Sequence, residues 1–177
     1  MTLEELNAMP AAEFVATLGG LFEHSPWVAE GIVAARPFEN AQALLEAMRQ
    51  VVARAGPEAQ LRLIRAHPKL GNRGPRPQQL TAASTQEQRR AGLEACTPFQ
   101  YAQLERLNDE YFEKFGFPFI LAVRGHTPES ILEQCTERLE RGASSERAAA
   151  LTQIGLIAGY RLADLLAPPS AASAPDD

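Results

Sequence analysis

An all-α fold is the class that this sequence of 177 residues predicts. Apolar residues recur at the three- and four-residue spacing of amphipathic helices through most of the chain, whereas strand-like alternation is scarce. Hydrophobic residues make up 45% of the chain, which is enough to bury a core without disulfides. We expect a single compact multi-helix domain over residues 1–167 with one long functional loop, followed by a disordered, proline-rich tail over residues 168–177.

The N-terminal part of the chain predicts helices with recognisable ends. A short amphipathic helix opens the chain, and the glycine pair at 19–20 ends the second helix. A third helix is predicted from an N-cap at Ser25, with Pro26 at its first position, as far as Pro37. Asn40 is the predicted N-cap of the fourth helix, which runs to Gly56.

A long loop interrupts the helical pattern in the middle of the chain. The helix that starts at Pro57 must end near Ala66, because the residue before Pro68 is pushed out of the helical backbone region. The stretch from His67 to Ser84 then holds three prolines and two glycines. A loop of this length inside a compact domain is more often functional than not.

Four further segments complete the predicted domain. A helix is predicted to begin at Ser84, and another runs from a Thr97 cap to a stop at Gly116. The apolar run FPFILAV, residues 117–123, is too short for a confident helix and is predicted to be a buried extended or irregular segment. Two more helices follow, from TPES and from SSER.

Charge and cysteine content limit the classes of partner. The formal net charge of −5 argues against nucleic acid, which needs a basic face. No segment approaches the roughly 18 unbroken apolar residues of a membrane span, and the N-terminus lacks a signal-peptide pattern. Cys96 and Cys135 show no CxxC spacing, which favours a reducing compartment. These observations predict a cytoplasmic protein without nucleic-acid or membrane partners.

His67 is the first candidate for chemistry, and two interpretations compete. A histidine at a helix end can bond the free carbonyls there. Its rigid position against Pro68, at the opening of the long loop, instead favours a proton-transfer group. A metal role finds no support, because His24 and His126 lie at no paired ligand spacing and neither HxxxH nor HExxH occurs.

Three other pieces also allow a structural and a functional interpretation. Ser84 and Glu87 have the spacing of a capping box, yet a helix N-terminus can also bind an anionic or carbonyl-rich ligand. Arg161 lies on an apolar helix face, where a buried guanidinium needs either an acid or ligand oxygens. The KFGFPFILAVRG segment, residues 114–125, is core by composition, but its apolar side chains can wall a pocket.

These pieces, in this order, resemble a known family. FEHSPWVAE, RAHPKLG, LTAASTQEQRRAGL, LNDEYFEKFGFPFILAVRG and IAGYRLADL are similar to motifs of the 2-oxo-4-hydroxy-4-carboxy-5-ureidoimidazoline (OHCU) decarboxylases of urate degradation. The resemblance covers residues 3–167, and the combination of motifs is far more specific than any one of them. It implies an all-helical homodimer that binds OHCU and converts it to (S)-allantoin and CO2 without metal or organic cofactor.

The resemblance also implies the site. The catalytic residues would be His67 and Glu87. The substrate-binding residues would be Pro68, Ser84, Thr85, Gln86, Glu87, Gln88, Phe119, Ile120, Leu121, Ala122, Val123 and Arg161. One departure is Lys69, which stands where many members carry an acid within HPDLAGK.

The residue types suggest how such a site would work. His67 would be the proton donor, with its place at a helix C-terminus favouring the protonated form. Glu87 and Gln88 would hold the N–H groups of the ring or ureido arm, and Arg161 would grip ring oxygens. The competing interpretation is a non-catalytic protein, either a ureide-binding module or a helical interaction module.

Overall fold

Helices with strong end signals make up most of the chain. The computed structural model describes residues 1–71, 81–90, 93 and 96–167. These residues form nine α-helices, one 3-10 turn and no β-strand, which confirms the predicted all-α class. The helices are α1 (Leu3–Ala8), α2 (Ala11–Leu18), α3 (Trp27–Glu30), α4 (Ala41–Arg54), α5 (Gly56–Arg65), α6 (Ala82–Arg90), α7 (Pro98–Phe115), α8 (Pro128–Leu139) and α9 (Ala143–Leu166).

Two predictions fall wholly or partly on other residues. The predicted tail, residues 168–177, lies outside the described residues, and so does the middle of the predicted loop, residues 72–80. Among the helices that are described, none is long and apolar enough to cross a membrane.

Several predicted helix ends are confirmed. The side-chain oxygen of Asn40 accepts a hydrogen bond of 2.8 Å from the N–H of Ala43, which caps α4. Thr97 and Gln100 form a reciprocal capping box at the start of α7, where Pro98 occupies the first turn. The same helix ends at Gly116, whose φ of 75° is a left-handed conformation that glycine adopts without strain.

The prediction for the third helix is wrong. The stretch from Ser25 to Pro37 forms the single-turn α3 and a separate 3-10 turn, and Pro26, not Ser25, occupies the N-cap position. The interruption coincides with Gly31, which packs so closely on α4 that a Cβ there would lie 2.8 Å from Val51 Cγ1. Tertiary packing at a glycine, a poor helix former, therefore overrides the local helical pattern.

The long helix α9 is central to the packing. It contacts both α4 and α5, while α7 and α8 pack against each other. The buried face of α9 carries Ile154, Ile157, Ala158 and Leu162, with Arg161 among them. Arg161 is therefore buried on this face, as the helical spacing predicts, and α9 buries Glu146 near its N-terminal end as well.

The apolar run between α7 and α8 is buried and irregular, in agreement with the predicted extended or irregular segment. Every residue of 117–123 is buried, although the segment belongs to no helix or sheet. Its backbone is held by side chains instead: the Nη1 of Arg138 donates to the carbonyl of Ile120 at 2.7 Å. The Arg138 Nε donates to Glu146 at 2.8 Å, and the hydroxyl of Tyr111 also donates to Glu146. A buried polar cluster thus fixes a segment that lacks ladder hydrogen bonds.

Candidate active site

One pocket gathers most of the predicted site residues. It lies between the end of α5, the first turns of α6, the segment 117–123 and α9. It encloses about 360 Å³, including space open to solvent. The side chains around it combine apolar and polar groups. They are His67, Pro68, Leu70, Ser84, Glu87, Gln88, Phe119, Ile120, Leu121, Val123, Ile157 and Arg161.

His67 both caps a helix and faces the pocket. α5 ends at Arg65, and the backbone N–H of His67 bonds the carbonyl of Ile64 at 3.2 Å. The carbonyl of Leu63 is then left for the ring, whose Nδ1 lies 3.0 Å from it. Because a carbonyl only accepts, Nδ1 carries the proton. The Nε2 is buried, without a hydrogen-bond partner among the described residues.

The ring is neutral, and the expectation of a protonated His67 is wrong. Burial lowers the pKa of His67 to about 4, because the imidazolium loses its hydration. The Leu63 carbonyl and the charge of Glu23 act in the opposite direction but do not outweigh burial. The sequence shows that His67 stands at a helix end, but not that its ring is 4% exposed. The ring therefore presents the Nε2 lone pair, a proton acceptor, to the pocket.

The capping-box interpretation of Ser84 and Glu87 is also wrong. The backbone N–H of Ser84 donates to Thr81 Oγ1 at 3.2 Å, and α6 is already helical from Ala82. Thr81 therefore caps the first turn, and Ser84 lies inside it. Ser84 and Glu87 are three residues apart on one helix face, so both side chains reach the pocket.

The helical period also decides which of the remaining residues of the predicted run face the pocket. Gln88 joins Ser84 on the pocket face, whereas Gln86 is exposed. The hydroxyl of Thr85 donates back to the Thr81 carbonyl at 3.1 Å. The side chains of Thr85 and Gln86 are thus not brought to the pocket, because a helix presents every third or fourth residue to one side.

Arg161 is bound on all sides by protein groups. Its Nε and Nη2 donate to the two oxygens of Glu87 at 2.8 and 3.0 Å, a bidentate ion pair. Its Nη1 donates to Glu23 Oε2 at 2.8 Å and to the Gly20 carbonyl at 3.2 Å. Its Nη2 also donates to Ser84 Oγ at 3.0 Å. All five guanidinium N–H groups thus have protein acceptors, in agreement with the ion-pair alternative.

Glu23 is a site residue that the sequence did not single out. Its side chain is 0% exposed, and its Oε2 also accepts from the Ser84 hydroxyl at 3.0 Å. Burial raises the pKa of Glu23, but the Arg161 charge and the hydroxyls of Thr81 and Ser84 lower it more, so the net shift is downward. The available signals were its place within FEHSPWVAE and the need of a buried Arg161 for acids.

Arg161 keeps its charge although it is buried. Burial by itself lowers the pKa of Arg161, but the hydrogen bonds and charges of Glu87 and Glu23 raise it above the usual value. The guanidinium is therefore permanently charged, and the cluster of two carboxylates and one guanidinium carries a net negative charge.

Gln88 is held at the pocket by a backbone contact. Its Oε1 accepts a 3.0 Å hydrogen bond from the backbone N–H of Gly71. With the oxygen engaged in this way, the Nε2 is the end that remains to donate to a ligand. The neighbouring backbone is fixed as well, because Asn108 Nδ2 donates to the Leu70 carbonyl at 3.0 Å. Gln88 can thus donate to a ligand oxygen through Nε2, and its Oε1 keeps a second lone pair that can accept from a ligand N–H group.

The apolar wall follows the prediction except at one position. Four residues of 119–123 line the pocket, and the sequence missed Leu70 and Ile157, which line it too. Ala122 instead borders a smaller neighbouring pocket, and its N–H donates to Gln153 Oε1 at 2.9 Å.

Lys69 lies off the pocket. Its Nζ is 2.6 Å from Asp109 Oδ1 and 5.5 Å from the ring centre of Phe112. Elsewhere in the described part of the chain, no group of three or more His, Cys, Asp or Glu side chains could hold a metal ion.

The fold and the pocket define a class: an all-helical protein with a small-molecule site built from a buried neutral imidazole, an ion-paired carboxylate and an apolar wall. The sequence model of the OHCU decarboxylase family matches residues 7–163. The chain belongs to the OHCU decarboxylase family.

Individual relatives agree with this assignment. The 2-oxo-4-hydroxy-4-carboxy-5-ureidoimidazoline decarboxylase of Haloferax volcanii is 40% identical over 164 residues, which cover 93% of this chain and 95% of that protein. A uric acid degradation bifunctional protein of Bacillus subtilis is 40% identical over 93% of this chain, which spans 33% of that longer protein. The solved structure of an (S)-allantoin synthase superposes with a TM-score of 0.75 and 32% identity, covering 94% of this chain and 54% of that one.

Proposed function

We propose that this protein decarboxylates OHCU to (S)-allantoin and CO2 in urate degradation. The observation that carries the proposal is the pocket itself, where His67 Nε2 is buried without a partner among the described residues, beside Glu87 and Gln88. The names and near-full coverage of relatives such as the Haloferax volcanii protein support the same substrate.

The reaction needs a group that accepts an electron pair, and it includes two proton transfers. When the bond to the carboxylate breaks, its electrons form a double bond to the neighbouring ring carbon, and the C=N electrons move to the ring nitrogen, which takes a proton from solvent. The hydroxyl then loses its proton as the carbonyl forms, and the neighbouring carbon gains one. The sum is uptake of one proton and release of CO2. Because the substrate ring is itself the electron sink, we propose catalysis without metal or organic cofactor.

His67 serves in this proposal as the proton donor to carbon. A neutral ring with Nδ1–H bound to Leu63 can accept the hydroxyl proton at Nε2 and return it to the adjacent carbon. Because the substrate itself supplies the proton to Nε2, the low pKa of His67 does not prevent it from acting as the donor. Delivery from one fixed atom to one face of the ring would yield a single enantiomer.

The other residues orient the substrate. Glu87 would accept from N–H groups of the ring or ureido arm while it remains bound to Arg161. The Nε2 of Gln88 would donate to a ring or carboxylate oxygen. The apolar residues of 119–123 would exclude water and strengthen both contacts. In this proposal Arg161 acts on the substrate through Glu87.

We propose further that the protein is a cytoplasmic homodimer. Cys135 is a buried cysteine outside any disulfide, which is consistent with a reducing compartment. The dimer rests on the resemblance to the family. Analytical ultracentrifugation at several concentrations tests it, and a single species of one chain's mass at all of them would contradict it.

A circular-dichroism assay at the allantoin bands tests the reaction. Uricase and the downstream hydrolase generate OHCU in the cuvette, and the protein is then added. We expect faster appearance of the S enantiomer, and no loss of rate after dialysis against a chelator. His67→Asn should keep the helical spectrum and lose most of the activity, whereas His24→Asn, an exposed histidine, should keep the activity.

The same assay separates the alternatives. A non-catalytic ureide-binding or interaction module would leave the spontaneous rate to racemic allantoin unchanged. Near-wild-type turnover by His67→Asn would remove His67 from the mechanism but leave the reaction assigned.

A further inference from the structure

We propose that Glu23 is a positioning residue: through Arg161 and Ser84 it fixes the carboxylate of Glu87 at the pocket. This inference rests on the proposed function. It assigns a role to a residue of the loop after α2, a part of the chain that contributes no side chain to the pocket lining described above.

Three elements meet in the cluster. Glu23 comes from the loop after α2, Glu87 from α6 and Arg161 from α9. The carboxylate of Glu87 accepts hydrogen bonds from Nε and Nη2 at one edge of the guanidinium. Glu23 Oε2 accepts from Nη1 on the other side at 2.8 Å. Because the guanidinium is planar and rigid, two acids at opposite edges fix its position and its plane. The oxygens of Glu87 are then fixed as well.

Neutralisation does not explain why Glu23 is there. Glu87 already forms a bidentate pair with Arg161, and one carboxylate balances one guanidinium. A second carboxylate with 0% exposed side chain leaves the cluster net negative and adds a desolvation cost. A positioning role accounts for this cost, since a displacement of about 1 Å at a reacting group can reduce a rate by about a hundredfold.

Ser84 gives Glu23 a second route to the pocket. The Ser84 hydroxyl donates to Glu23 Oε2 at 3.0 Å and accepts from Arg161 Nη2 at 3.0 Å. Ser84 and Glu87 lie on the same face of α6, so Glu23 holds that face at two points. Glu23 thus fixes both the guanidinium that binds Glu87 and the helix that carries Glu87.

A double-mutant cycle tests this role. Glu23→Gln keeps the shape but removes the charge, and we expect kcat to fall roughly tenfold or more, as for loss of a charged hydrogen bond. Glu23→Asp, which keeps the charge, should retain more activity than Glu23→Gln. In a Glu87→Gln background, Glu23→Gln should cost less than about twofold further, because both changes disable one unit. Glu30→Gln, an exposed glutamate, serves as control.

A second readout does not depend on turnover. The Arg161 Nε–H donates to Glu87 and not to Glu23, so its ¹⁵N-resolved proton signal reports the Glu87 contact. We expect Glu23→Gln to shift or broaden that signal and Glu30→Gln to leave it unchanged. Additive losses in the cycle, or an unchanged signal, would overturn the role of Glu23. An inactive wild type that still shows the signal shift would overturn the proposed reaction and leave the positioning intact.

Discussion

His67 shows how one residue can satisfy both interpretations of a sequence. The ring bonds the carbonyl of Leu63 in the last turn of α5, as a helix-end histidine would. The same bond assigns the proton to Nδ1 and leaves Nε2 as an acceptor in the pocket. Capping and chemistry are therefore not alternatives here: the cap selects the tautomer that the proposed proton relay needs.

The buried neutral ring should make stability depend on pH. The pKa of His67 falls from 6.5 to about 4 on folding, so the unfolded chain binds more protons between these values. The free energy of unfolding should therefore decline as pH drops from about 6.5 to about 4, by up to about 3 kcal/mol from this group. Urea unfolding at pH 7 and pH 4.5 measures the decline.

The comparison uses two histidine variants. His67→Asn should reduce the difference between the two pH values. His24→Asn, at an exposed position, removes only a minor charge effect on His67 and should change that difference less. Equal pH dependence in His67→Asn and the wild type would show that His67 is not buried neutral.

Gly71 allows a matched test of backbone and packing effects. Its φ is +68°, and a Cβ there would lie 2.6 Å from Leu104 Cδ2, whereas Gly56, with φ +75°, has open space around it. Gly56→Ala should cost about 1 kcal/mol of stability from the left-handed backbone. Gly71→Ala should cost more, and should lower activity because the Gly71 N–H orients Gln88. Chemical denaturation and the allantoin assay measure both, and equal stability losses would contradict the packing contribution.

At the scale of elements, the position of the segment 117–123 depends on the helices that follow it in the chain. It has no ladder partners, and its Ile120 carbonyl is held by Arg138 of α8. Arg138 is in turn bound to Glu146 of α9. A buried ion pair between two helices therefore helps to position the pocket wall, in addition to the buried apolar side chains of the segment itself.

Removal of Arg138 should lower the free energy of unfolding substantially. Arg138→Met would leave the Glu146 carboxylate buried without its main partner, which costs roughly 3–5 kcal/mol. Arg106→Met breaks an exposed pair with Glu110, with side chains 58% and 47% exposed, and should cost less than about 1 kcal/mol. Thermal and urea unfolding compare the two. Adding Glu146→Gln to Arg138→Met should restore part of the loss, and a similar small cost for both single variants would count against the role of the pair.

At the scale of the whole molecule, the site joins segments that are distant in sequence. Glu23, His67, Glu87, segment 119–123 and Arg161 come from five separate parts of the chain. A ligand that contacts several of them binds the folded state and not the unfolded one. Ligand binding should therefore stabilise the entire domain.

Product binding should raise the midpoint of thermal unfolding. A ligand at a hundred times its Kd adds about 2.7 kcal/mol, so the midpoint should increase with (S)-allantoin concentration. Because the pocket walls are chiral and fixed, (R)-allantoin should raise it less, and Glu87→Gln should reduce the (S)-allantoin effect. Scanning calorimetry at a series of concentrations measures the shift. Equal shifts for both enantiomers would indicate binding outside this pocket.

The sequence by itself determined the features that depend on near neighbours along the chain. The caps at Asn40 and Thr97, the stop at Gly116 and the end of α5 before Pro68 follow from hydrogen bonds and backbone sterics within a few residues. Motif order also identified most of the pocket, including His67, Glu87 and Arg161. These features were predictable because they arise from local interactions or because specific combinations of residues in the sequence mark them.

The tertiary structure decided what depends on burial and on distant partners. It determined that His67 is neutral, that Thr81 and not Ser84 caps α6, and that Arg161 is held between Glu87 and Glu23. A pKa depends on how much water surrounds a group, and an ion pair depends on which acid approaches across some 140 residues of chain. Neither quantity is encoded in spacing, because both arise only when the helices pack.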